Sequence, residues 1–115
     1  MLRTAVILLA LTALGGITMA FIRFSGTERP PAWMAMGHGL IAGSALTLLL
    51  YQAFTVGLPS MALLGLVVLV VAAAGGAFLN LAYHAQMKAL PKNFIVGHAV
   101  LAVVGFGLLA VAAFR

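Results

Sequence analysis

From Pro30 to Met87 the chain carries no Asp, Glu, Lys or Arg, a run of 58 residues without a formal charge. No water-soluble domain of 115 residues has enough interior to bury a run of that kind. With 65% hydrophobic and 6% charged residues in the whole chain, the solvent is lipid. The absence of cysteine excludes disulfides, thiolate metal sites and thiol catalysis. A single acidic residue, Glu28, excludes paired-carboxylate acid–base chemistry and hard-cation cages. The net charge of +5 comes from cations flanking apolar spans, so it reads as contact with lipid headgroups, with no nucleic acid as partner.

A bilayer core about 30 Å thick takes about 20 apolar residues in helix. The chain offers four such segments, at about 4–22, 33–54, 61–85 and 93–114, which predict an all-α integral membrane four-helix bundle filling one domain, 1–115. RFSGTERPPA, TVGLPS and QMKALPK connect them, each broken by Pro or Gly. Arg23, Arg29, Lys88 and Lys92 lie at the face of connections one and three, against Arg3 and Arg115 at the other. That bias predicts a multi-pass protein of a cell membrane, in the manner of a bacterial inner membrane, with connections one and three cytoplasmic. The opening MLRTAVILLALTALGGITMA also has the layout of a signal peptide, with Thr18-Met19-Ala20 as a poor cleavage site.

An internal repeat argues that this first segment belongs to the fold. Sliding the chain by 60 residues without gaps aligns repeat one (1–55) with repeat two (61–115) and yields 13 identities in 55 positions. This composition gives about 6 by chance. The matches include Gly15-Gly16 with Gly75-Gly76, Pro31 with Pro91, and Gly37-His38 with Gly97-His98. Two helical hairpins in tandem share one orientation, so they predict parallel repeats related by a pseudo-two-fold axis along the membrane normal.

His38 and His98 then sit at one depth, about five residues or roughly 7 Å inside their spans. Each looks along its helix onto small residues, Ala42 and Ala45 or Ala102 and Gly105, and faces a glycine pair. Glycines of this kind serve close helix packing, as do Gly39-x-x-x-Gly43, Thr12 to Gly16 and Ala72 to Gly76. They also leave room for a flat cofactor, haem b, with His38 and His98 as its metal ligands and Gly15, Gly16, Gly75 and Gly76 beside it. His84, whose counterpart in repeat one is Phe24, is placed to reach the headgroups, to replace one ligand, or to meet haem propionates. Met34, Met36 and His38 invite a copper reading, but only Met34 and His38 share a helix face, and Phe94 and Val96 occupy the equivalent places. Asn80, Gln52, Ser44, Thr47, Thr12 and Thr18 are expected to form interhelical or i−4 hydrogen bonds. Trp33, Tyr83 and Phe94 form an interfacial aromatic belt.

In length and helix count the chain is similar to the small multidrug transporters. Those transporters exchange protons for cations on a carboxylate inside the first helix, which this chain lacks, and their halves tend to be inverted, whereas this repeat is parallel. Two functions from different classes remain. One is a b-type haem protein for electron transfer or redox sensing. The other is a non-catalytic accessory subunit, packed in a larger membrane complex or a homo-oligomer. No nucleophile, phosphate loop or hydrolytic metal motif supports stand-alone catalysis.

Overall fold

A computed structural model describes the whole chain, Met1–Arg115. It is an all-α bundle of α1 (Leu2–Phe24), α2 (Ala32–Thr55), α3 (Ser60–Leu79, extended by a π-helical turn at Asn80–His84) and α4 (Lys92–Phe114). All four helices are long and apolar enough to cross a membrane. The long axis of the molecule is 43 Å, close to a hydrocarbon core with its headgroup layers.

Proline sets three of the four starts. Pro31, Pro59 and Pro91 are the residues before α2, α3 and α4, each in an extended conformation. A proline has no N–H to leave unpaired at a helix start, and its fixed φ stops the preceding segment from turning helical. Their carbonyls accept the first helical N–H groups, from Ala35, Leu63 and Ile95.

The helices form a ring in which α1 packs on α2 and α4, and α3 packs on α4 and, more sparsely, on α2. Only 16 of 115 residues are buried within the chain, so most apolar side chains face outward, as on a bundle long and apolar enough to cross a membrane. Apolar side chains gain nothing by leaving lipid, and close packing must hold the helices together. The tight part lies toward the termini and connection two. There Val6, Leu9, Leu49, Leu66, Leu69 and Leu109 surround Ala5, Ala45 and Ala62. Gly65 and Gly105 bring α3 and α4 together: a Cβ on Gly105 would stand 2.7 Å from Leu69 Cγ and 3.1 Å from the Gly65 carbonyl oxygen. Ala5 and Ala45 hold the equivalent places in the first hairpin, both fully buried.

The opposite end is held by a clasp between connections one and three. Leu90 N–H donates to Glu28 O at 3.1 Å. Arg23 Nε donates to Leu90 O and Arg29 Nη1 to Met87 O, both at 2.8 Å. These bonds satisfy backbone carbonyls where the loops leave the helices.

Polar groups inside the spans mostly turn back on their own helices. Thr12, Thr18, Ser44 and Thr47 each bond the carbonyl four residues earlier. Gln52 Nε2 reaches Gly57 O at 3.4 Å while its Oε1 is buried without a partner, for which the structure offers no reason. Asn80 makes no such bond and lines a cavity instead. The seam expected at Gly39 and Gly43 is not a seam within the chain, because nothing stands within 4 Å of a Cβ at either position.

The Gly105→Ala variant is expected to lose about 1–3 kcal/mol through overpacking, read as a lower denaturant midpoint for unfolding in detergent micelles. Gly107→Ala, with open space around its Cβ, should leave that midpoint unchanged or slightly raised.

Candidate functional site

Two histidines approach each other in the half of the bundle that is less tightly packed. His38 Nδ1 lies 2.9 Å from the Thr12 carbonyl oxygen, and His98 Nδ1 lies 2.7 Å from that of Ala72. Both distances are hydrogen bonds, and a carbonyl oxygen can only accept. Each Nδ1 is therefore the protonated nitrogen, and in the neutral ring Nε2 keeps its lone pair.

Both acceptors are carbonyls inside α-helices, which are normally covered by the side chain one turn further on. Here that residue is Gly16 or Gly76. A Cβ on Gly16 would meet His38 Cε1 at 3.0 Å, and one on Gly76 would meet His98 Cε1 at 3.0 Å. At Gly15 and Gly75 the nearest atom is Nδ1 of the same histidines, at 3.9 Å in each case. The glycine pairs thus let an imidazole lie against the helix and reach a carbonyl that already serves the backbone ladder. The expectation that they leave room for a cofactor is refined: their first neighbour is the histidine ring. Gly37 and Gly97 have no neighbour within 4 Å of a Cβ, so their repetition before each histidine has no packing explanation.

The two imidazole centroids are 6.3 Å apart with ring planes inclined by 69°. Both rings line a cavity of about 590 Å³, walled by all four helices, that reaches Pro30 and Leu90 at the clasp. Its walls are mostly apolar, including Met19, Met36, Leu46 and Ile95. That size falls in the ordinary range for small-molecule sites, about 300–1,000 Å³. His84 also lines it, but its Nε2 is 2.8 Å from Pro30 O, a carbonyl to which it donates. The structure therefore ties His84 to connection one, and brings His38, His98, Gly16 and Gly76 together around the cavity.

Nowhere do three or more His, Cys, Asp or Glu side chains gather to hold a metal ion. A bare ion between His38 and His98 would have two protein donors where structural or catalytic sites use three or four. Met34, which shares a helix face with His38, is not among the residues lining the cavity. No protein-family model, curated protein or solved structure matches the chain.

Gly16→Ala should disturb the His38 imidazole and spare His98, and Gly76→Ala should do the reverse. Nitrogen-15 NMR of ring-labelled protein in detergent checks this, with Nδ1 of both histidines in the unsubstituted protein expected to carry a proton.

Proposed function

We propose that the protein is a membrane-embedded b-type haem protein, with His38 and His98 as the two axial ligands and one-electron transfer or redox sensing as its task. The observation that carries this reading is the matched pair of imidazoles, each bonded through Nδ1 to a backbone carbonyl and lining a common apolar cavity. A metal-bound histidine characteristically donates its second N–H to a carbonyl or carboxylate, which fixes the ring and its tautomer. The two ring centroids are 6.3 Å apart, so His38 and His98 are near enough that both would be available to one bound group.

The donor set selects the group. A tetrapyrrole brings four equatorial nitrogens of its own and asks the protein for two axial ligands, which is the number this cavity provides. When bound, such a group supplies one-electron oxidation and reduction at its iron. The chain's share is to hold both imidazoles at fixed depth, keep Nε2 unprotonated, and exclude water with apolar walls. The same reading places the protein in a cell membrane, with the clasp end in the cytoplasm as the four cations there imply.

The test is the visible spectrum of the protein purified in mild detergent from cells supplied with a haem precursor. The expected result is a Soret band with sharp α and β bands on reduction by dithionite, lost in His38→Ala and His98→Ala separately while helix content stays constant. A colourless protein that assembles normally would reject the haem reading and leave an accessory subunit of a larger membrane complex.

Orientation has its own test, made simple by the absence of native cysteine. A single cysteine at Ser25 or Gln86 should react with a membrane-impermeant maleimide only from the cytoplasmic side, and one at Leu58 only from the other.

A further inference from the structure

A perfectly two-fold bundle would have two equal side seams, because exchanging the hairpins turns the α2–α3 seam into the α4–α1 seam. The seams differ. α1 and α4 pack more closely than α2 and α3, and the cavity, walled by all four helices, has most of its lining on α2 and α3.

Three departures from the repeat coincide at that seam. On α2, Gly39 and Gly43 border the cavity, where α4 carries Ala99 and Val103 at the register positions. On α3, the helix widens into the π-helical turn Asn80–His84, with Ala85 N–H bonded to Asn80 O and Lys88 N–H to Tyr83 O, whereas α1 continues as regular α-helix to Phe24. Such π-helical turns are rare and occur often at functional sites. Third, this turn brings the polar side chains of Asn80 and His84 to the cavity wall, where the register positions of the first half hold Ala20 and Phe24.

Two histidines sharing one ion need no such asymmetry. A ligand with unlike edges does. The Asn80 side chain has no hydrogen-bond partner within the protein, and its amide N–H₂ is a donor pair. His84 donates its Nε2–H to Pro30 O, which leaves Nδ1 of the neutral ring an acceptor only, so its part is to brace the turn against connection one. Beyond them, the clasp carries Arg23, Arg29, Lys88 and Lys92 against a single Glu28, a positive field that favours an anion near the low-dielectric mouth.

We infer that the Asn80–His84 turn is the seat for the anionic edge of the bound group, fixing which way round the flat dicarboxylate tetrapyrrole lies in the cavity. This rests on the haem reading above. Asn80 and His84 are positioning residues: Asn80 offers its amide N–H₂ to the carboxylates at the clasp end, His84 fixes the turn through Pro30 O, and the apolar edge is turned toward Leu46 and Ala73.

The experiment compares two probes on the purified full chain in detergent, iron protoporphyrin IX and its dimethyl ester, which differ at that edge, two carboxylates against two neutral methyl esters. The unsubstituted protein should retain the diacid about tenfold more tightly than the diester, the order of effect expected for a charge-assisted hydrogen bond. The double variant Asn80→Ala/His84→Phe, which carries the first half's residues, should narrow that ratio to about twofold. It should keep the six-coordinate spectrum with the diacid, because both axial ligands remain. Equal retention of diacid and diester by the unsubstituted protein would overturn the inference while leaving the haem reading intact, and so would an unchanged preference in a variant of normal helix content. A protein that shifts the Soret band of neither probe would reject the axial pair itself, and the inference with it. The first comparison needs no variant, so misfolding cannot mask its result.

Discussion

The arrangement depends on a hydrogen bond from an imidazole to the backbone of a neighbouring transmembrane helix, made twice. In lipid an unsatisfied N–H costs several kcal/mol, so each Nδ1–H must find an acceptor. Backbone carbonyls are the only abundant acceptors there, and side chains normally cover them. Gly16 and Gly76 uncover one carbonyl each, and His38 and His98 take them. The bonds anchor α2 to α1 and α4 to α3, set the depth and tautomer of both rings, and direct what remains of their chemistry toward the space between the hairpins. The acceptors are Thr12 in one half and Ala72 in the other, so the side chain at that position is immaterial.

Around this device the bundle is packed in two ways. Toward the termini, Ala5, Ala45, Gly65 and Gly105 let the helices touch and leucines fill the remainder. Toward connections one and three, the helices part around the histidines, and the loops restore cohesion with hydrogen bonds from Arg23, Arg29 and His84 to carbonyls of the opposite connection. Two of the cationic residues at this end, Arg23 and Arg29, therefore support the structure directly.

Much of this was legible in the residues. The uncharged run and the four apolar segments allow only a membrane bundle, and the offset of sixty places His38 and His98 at one depth beside glycine pairs. The contacts of those glycines were harder to read, because room for a cofactor and access to a carbonyl leave the same signature in sequence. Gly65 and Gly105, which make the closest helix approach, are inconspicuous among 13 glycines, and Gly39-x-x-x-Gly43, the more obvious motif, has no partner in the chain. The inequality of the two side seams has no periodic signal. It shows in the sequence as Asn80 and His84 at the positions of Ala20 and Phe24, and as Gly39 and Gly43 at those of Ala99 and Val103, while one extra residue in a helical turn leaves no trace in composition.

That extra residue has a counterpart in the loop. In the first half the backbone takes positive φ at Gly26, and five residues, 27–31, lead into α2. In the second it does so at Met87, one register position later, and four residues, 88–91, lead into α4. What α3 gains in its widened turn the connection gives up, so the hairpins keep equal length while their backbones are out of step at Met87 and back in register at Pro91. An ungapped match of the halves thus conceals a compensated insertion and deletion, and over that stretch residues paired by number are not residues paired in space.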